Sequence, residues 1–196
     1  MNKLQPHEKS VIIASAAIHM ERFIKALGLD PESTHLKGSA ERISRMYVNE
    51  IFGGLYEEQP RFTVFPNDKK VEEIVFLGDI DLHSVCSHHF KAFSGKAHIA
   101  YLPKDKLVGI SKLARITDWF ARRPQVQEDL NAEIADFLMK ELDPAGVAVQ
   151  ITAVHNCIRT RGAKQSASVM KTQALRGCFK SDKTMVDEFT SMINQI

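Results

Sequence analysis

Cys86 and His89 stand in a C-x-x-H spacing, which lets one tight turn aim a thiolate sulfur and an imidazole nitrogen at a single ion. Soft sulfur with nitrogen selects zinc or a similar metal. His155 and Cys157 are two apart on a stretch that reads as a strand, so both side chains would leave one face. Singly, each cysteine reads better as a small buried hydrophobe and each histidine as a hydrogen-bonded loop residue. Together the four point to a metal. Four protein ligands would close a structural site, whereas three would leave a position for water and lower its pKa toward ~7. Spacing alone leaves that count open. Cys178, in an apolar stretch read as a strand, is set aside as a buried thiol, and His7, His19, His35, His83 and His98 have no ligand-spaced companion.

A second group of residues suits anions. Ser111-Lys112-Leu113-Ala114-Arg115 opens a predicted helix, where a hydroxyl, free amides and two cations suit a phosphate, although a solvated helix face has the same composition. Arg159 and Arg161 follow His155 and Cys157 closely, which brings anion-binding chemistry beside the metal ligands and suggests a phosphorylated substrate. Gln127-Glu128 offers a carboxylate that can accept two hydrogen bonds from the donor edge of a purine; from pattern alone, a surface carboxylate is the plainer reading. No G-x-x-x-x-G-K-[ST] loop is present, so a nucleotide would not bind in the P-loop manner.

These residues need a frame. Val11, Ile12, Ala16, Met20, Phe23 and Leu27 recur at helical spacing until Gly28 and Pro31, and Ile43, Met46, Tyr47, Ile51 and Leu55 form a second stripe that Gly53-Gly54 ends. From Arg61 the pattern turns to β-formers: Phe62 to Phe65, Val71 to Val85 and Phe93 to Leu102, the last two flanking the Cys86 to Lys91 connection. Ser111 is read as the cap of a helix through Ile116 and Phe120, and a second helix runs from Val126 to Leu142. Val147 to Ile158 and Ser168 to Phe179 read as strands, with a terminal helix from about Lys183. The order is β-β-α-α-β-β, an α+β arrangement behind N-terminal helices, with residues 1–60 a helical region and 61–196 the core.

The chain's 196 residues, 44% hydrophobic and 26% charged, are those of an ordinary globular protein with at most an appendage. A formal net charge of +2 is too balanced for a non-specific nucleic-acid binder. The longest early apolar run, Val11 to Ile18, is far short of the ~20 residues a bilayer demands, so no membrane partner is expected. No signal-peptide pattern follows Met1, and the cytoplasm is the expected compartment. Three cysteines at wide spacing argue for reduced thiols or ligands over a disulfide framework.

Four ordered blocks resemble GTP cyclohydrolase I: Arg42 to Leu55, Cys86 to Pro103, Gly109 to Leu130 and His155 to Gly162. The resemblance implies a zinc hydrolase that converts GTP to 7,8-dihydroneopterin triphosphate and formate, at the head of folate, pterin or deazaguanine synthesis. It implies Cys86, His89 and Cys157 as the ligands of one Zn2+ per subunit, and His88 and His155 as acid/base imidazoles. Glu128 is placed on the guanine with Gln127 beside it, and Arg42, Ser111, Lys112, Arg115 and Arg161 around the triphosphate. The implied fold is the tunnelling fold, assembled into a ring, typically a homodecamer with sites shared between subunits.

The chain departs from the family pattern at Ser87, where an acidic residue is usual, and at Ser39-Ala40-Glu41-Arg42, where Thr-Pro-x-Arg is usual. Other tunnelling-fold enzymes, such as pterin synthases and nitrile reductases, share the architecture with different site chemistry. A zinc-stabilised binding module is the rival from another class, and it would need the metal in order to fold.

Overall fold

The computed structural model describes residues 4–196, which divide into a unit ending at Glu58 and a unit of Gln59–Ile196. Among the described residues no helix is long and apolar enough to cross a membrane.

In the first unit, helix α1 (Pro6–Ala26) begins with proline in its first turn, and the Glu8 carboxylate accepts the Gln5 amide at 2.6 Å. The chain turns away just past its end at Gly28, whose φ of +77° suits glycine. The second apolar stripe is not one helix. Helix α2 (Ser39–Met46) passes into a wide turn at Tyr47–Ile51, closed by the Phe52 amide on the Tyr47 carbonyl at 2.8 Å, and then into the short helix α3 (Gly53–Tyr56). Gly53 and Gly54 therefore open the last turn, where the sequence reading has them ending the helix.

The second unit is built on a five-stranded sheet. Strands β1 (Val64–Pro66), β2 (Val75–Cys86), β3 (Ala92–Leu102) and β4 (Lys106–Val108) come first, then helix α4 (Ile110–Ala121), strand β5 (Pro124–Gln125) and helix α5 (Gln127–Leu142). Strand β6 (Gly146–His155), helix α6 (Asn156–Arg159), strand β7 (Met170–Gly177) and helices α7 (Cys178–Ser181) and α8 (Lys183–Asn194) complete the chain. The sheet order is β5-β2-β3-β6-β7, antiparallel except for the short β2–β5 pairing, and β1 pairs separately with β4. Residues 71–74, expected to extend β2, lie outside the strand, and β1–β4 is a pairing that the sequence reading does not contain.

Side-chain alternation puts Ile99, Val149 and Ile151 on one sheet face, where they meet Leu113 and Ile116 of α4 and Leu130, Ile134 and Leu138 of α5. Ala100 and Ala148 face the other way, under Phe179 and Phe189 of the last two helices. Cys178 and Phe179 thus belong to a helical turn and not to the expected strand, because β7 ends at Gly177, where φ is +58°. A bulge interrupts β2: Leu77 pairs with Ile99 but Ile80 pairs with Ala97, and Asp79 takes a φ of +51°.

Candidate metal centre

Cys86 is the last residue of β2, and the chain turns immediately after it. The Cys86 amide donates to the Lys91 carbonyl at 3.0 Å, the Phe90 amide donates to the Cys86 carbonyl at 2.9 Å, and Phe90 accepts a φ of +50° to close the loop. A turn that tight between two paired strands fixes Cys86 and His89 relative to the sheet. Cys157 approaches from the first turn of α6. The two sulfurs and one imidazole nitrogen of His89 lie within 4.8 Å of one another.

The donors suit a soft divalent metal. Donor pairs about a tetrahedral zinc are roughly 3.5–3.8 Å apart, so a small inward shift of the His89 ring or the thiols would close the set. Cys86 is 7% exposed and Cys157 half-buried, while His89 is exposed, leaving the open side toward solvent. Burial, and then the neighbouring Cys86 thiol, push the Cys157 thiol above its ordinary range. Two crowded thiols of this kind gain from a shared cation.

His155 is not in this group. Strand β6 ends at His155 and Asn156 begins α6, so His155 and Cys157 do not share a strand face, and of the four residues whose spacing points to a metal three converge. The His155 ring lies flat on Phe93, its cross-strand partner, with centroids 4.5 Å apart and planes 7° from parallel. Its Nε2 is 2.8 Å from Gln127 Oε1. Burial pulls the His155 pKa below the usual imidazole value, and the Glu128 carboxylate pushes back. His88, the other expected acid/base group, is exposed, with Nδ1 3.7 Å from the Cys86 sulfur.

Gln127, expected beside Glu128, is 1% exposed, and its amide nitrogen is turned inward onto the Ile151 carbonyl at 3.0 Å, the Met170 carbonyl at 3.3 Å and Thr172 Oγ1 at 2.9 Å. Both ends of the amide are engaged within the protein. Glu128, next along the first turn of α5, is exposed.

The cationic residues are spread over several elements. Gly109 and not Ser111 precedes the first turn of α4, so Ser111 lies within the helix and does not cap it; Ser111 and Arg115 are exposed and Lys112 half-exposed. Arg161 is exposed just past α6, and Arg159 is half-buried. Arg42 belongs to the first unit, where its guanidinium donates to Ser39 Oγ at 2.8 Å and folds back over its own helix start.

Sequence reasoning passed over Phe93 and Lys91. Antiparallel register puts Phe93 under His155, a placement no local spacing reveals. Lys91 donates to Thr160 Oγ1 at 3.2 Å, while the Thr160 hydroxyl donates to the Asn156 carbonyl at 2.8 Å. One side chain thereby ties the Cys86 turn to the Cys157 turn.

Comparison with known proteins gives the arrangement its family. The family model described as GTP cyclohydrolase I matches residues 16–194. A GTP cyclohydrolase 1 of Erwinia tasmaniensis is 45% identical over 172 residues, which is 87% of this chain and 78% of the relative. Another, of Salmonella choleraesuis, is 42% identical over 190 residues, covering 96% and 84% of the two chains. Among solved structures, the apo archaeosine synthase QueF-Like aligns with 55% of this chain and 97% of its own at a TM-score of 0.43 and 16% identity. The matched span contains Cys86, His89, His155 and Cys157 together, and the chain belongs to the GTP cyclohydrolase I family.

Proposed function

We propose that this protein converts GTP to 7,8-dihydroneopterin triphosphate and formate. The convergence of the Cys86, His89 and Cys157 donor atoms within 4.8 Å, beside an anchored histidine, carries the reading. Zinc bound there supplies Lewis acidity that makes water a nucleophile near neutral pH.

The chain's own residues do the rest. Glu128 accepts hydrogen bonds from the guanine, while Ser111, Lys112, Arg115 and Arg161 hold the triphosphate and position the base. His88 and His155 move protons at the purine ring nitrogens as C8 is hydrolysed twice and leaves as formate. Amadori rearrangement of the ribose and ring closure follow. Two waters are consumed and one is returned, so one water balances the reaction. The coupling of Glu128 to His155 supports a site in which the purine-reading carboxylate and the proton-transferring imidazole are neighbours.

The second unit is read as a tunnelling fold whose copies close into a ring, a homodecamer with one zinc per subunit and shared sites, acting in the cytoplasm at the head of folate, pterin or deazaguanine synthesis. Support for assembly comes from the sheet edges: β7 has no outer partner, and β2 has one only at Val85 and Cys86, among the described residues. Light scattering measures the subunit number.

The deciding experiment incubates metal-analysed protein with GTP and follows formate and an oxidisable pterin, with a chelator-treated control. Both products, lost with the metal, are expected. A folded, zinc-loaded protein that binds GTP and makes neither refutes the proposal. Glu128→Ala is expected to weaken GTP binding chiefly.

A further inference from the structure

Behind His155 lies a buried polar network that no metal or substrate role accounts for. Gln127 Nε2 faces two main-chain carbonyls, Ile151 at 3.0 Å and Met170 at 3.3 Å. Carbonyl oxygens only accept, so this end of the amide is the NH2 and the other end is the oxygen. Gln127 Oε1 then accepts, and at 2.8 Å the His155 Nε2 must carry a hydrogen. The neutral ring is the Nε2–H tautomer, and Nδ1 is left without a protein partner among the described residues.

Thr172 backs this arrangement from β7. Its Oγ1 receives Gln127 Nε2 at 2.9 Å and Asn131 Nδ2 at 2.8 Å, and both Gln127 and Asn131 are 1% exposed. Gln127 and Asn131 are four apart on α5, on the face that also buries Leu130 and Ile134, so the helix holds both amides against β6 and β7. With Phe93 under the ring and Gln127 at its far nitrogen, the imidazole can neither tilt nor turn over.

We propose that Gln127, Thr172 and Asn131 are positioning residues that fix the tautomer and orientation of His155, so that Nδ1 is the nitrogen presented to the substrate. This rests on the reading of His155 as a proton-transferring group. The network's contribution is to turnover and not to metal or GTP binding, since Gln127 and Asn131 are buried and the half-buried Thr172 spends its hydroxyl oxygen on those two amides.

Two variants and one spectrum test it. Gln127→Leu is expected to lower kcat by about 10- to 100-fold, the usual effect of removing the hydrogen-bond partner that orients a functional histidine, with KM for GTP and zinc content unchanged. Thr172→Val should lower kcat in the same sense and Thr172→Ser should restore it, which guards against a Gln127→Leu protein that fails to fold. Magic-angle-spinning NMR of 15N-histidine-labelled protein, assigned by subtraction of His155→Asn, should show the Nε2–H tautomer in the parent and its loss in Gln127→Leu. An Nδ1–H tautomer in the parent, or an unchanged kcat in folded, zinc-loaded Gln127→Leu, overturns the proposal. Full turnover in His155→Ala would instead refute the acid/base reading, while the spectrum would still report the tautomer.

Discussion

Removing the metal separates a catalytic site from a structural one, and the packing determines which outcome to expect. The three donors lie at one end of the sheet: Cys86 closes β2, and Cys157 packs against the edge of the main core. Cys86 is the one donor among that core's buried residues, and Leu82, Ile99, Val149 and Ile151 pack against Leu113, Ile116, Ile134 and Leu138 on apolar contacts alone. Chelation should therefore remove only the binding free energy. A metal held at 100 to 1,000 times its dissociation constant stabilises by about 2.7–4.1 kcal/mol. At roughly 2–4 °C per kcal/mol for a chain of this size, Tm should fall by about 5–16 °C with the transition still cooperative. The chain's single tryptophan, Trp119 of α4, lies in the unit that carries the site, so its fluorescence follows that unit alone. Melts before chelation, after it, and after zinc is restored make the measurement. A structural zinc would be worth ~10–16 kcal/mol. A chelated protein with no cooperative Trp119 transition and no near-ultraviolet dichroism would show that the metal builds the fold, and would refute this reasoning.

Three further expectations follow from particular contacts. A Cβ at Gly95 would overlap the Thr152 carbonyl oxygen and stand 2.7 Å from the Ala153 Cα, both backbone atoms of the paired strand, so Gly95→Ala should cost about 3 kcal/mol or more and ~6–12 °C in the Trp119 melt; an unchanged melt would contradict the close approach. His98 is buried and neutral, its Nδ1 accepting the Asp79 amide at 3.2 Å, and burial pulls its pKa down against the opposing Asp79 charge, with Lys171 and Lys96 adding to the fall. Its contribution is complete above the unfolded value of about 6.5 and is lost as pH falls from there toward the folded value, with a slope of at most ~1.4 kcal/mol per pH unit. Urea unfolding of His98→Gln from pH 8 to pH 5 should be correspondingly flatter, and parallel profiles would reject the assignment. Lys91→Met deletes the bond to Thr160, worth ~0.5–1.5 kcal/mol, and should weaken zinc retention about 2- to 10-fold in competition with a chromophoric chelator; identical competition curves would show the tie to be idle.

What could be read from the sequence follows the range of the forces involved. The C-x-x-H turn is local, and its geometry follows from four consecutive residues. Cys157 reads as part of a strand because the alternation of Val147 to Val154 leads straight into it, whereas a helix of four residues, Asn156–Arg159, is too short to show a period of its own. For the surroundings of Gln127 the guide in the sequence is helix phase. Gln127, Asn131, Ile134 and Leu138 share one face of α5, and a glutamine and an asparagine on a core-facing stripe signal buried hydrogen bonds. Phe93 under His155 and Lys91 on Thr160 depend on pairing across dozens of residues, which one strand's sequence does not record. Ser39 bonds to Arg42 itself, a contact visible only in the folded helix start.

The bulge in β2 decides which way the site faces. Before it, odd-numbered residues, Val75 and Leu77, point into the main core; after it, even-numbered residues, Ile80, Leu82 and Cys86, do so. The single extra residue beside Asp79 inverts the parity of the strand. In an unbroken strand the numbering that buries Leu77 would aim Cys86 at the opposite face of the sheet, away from Cys157. The metal centre is thus written in a phase set seven residues upstream. Loss of one residue between Leu77 and Ile80 would disable it while leaving every ligand present in the chain.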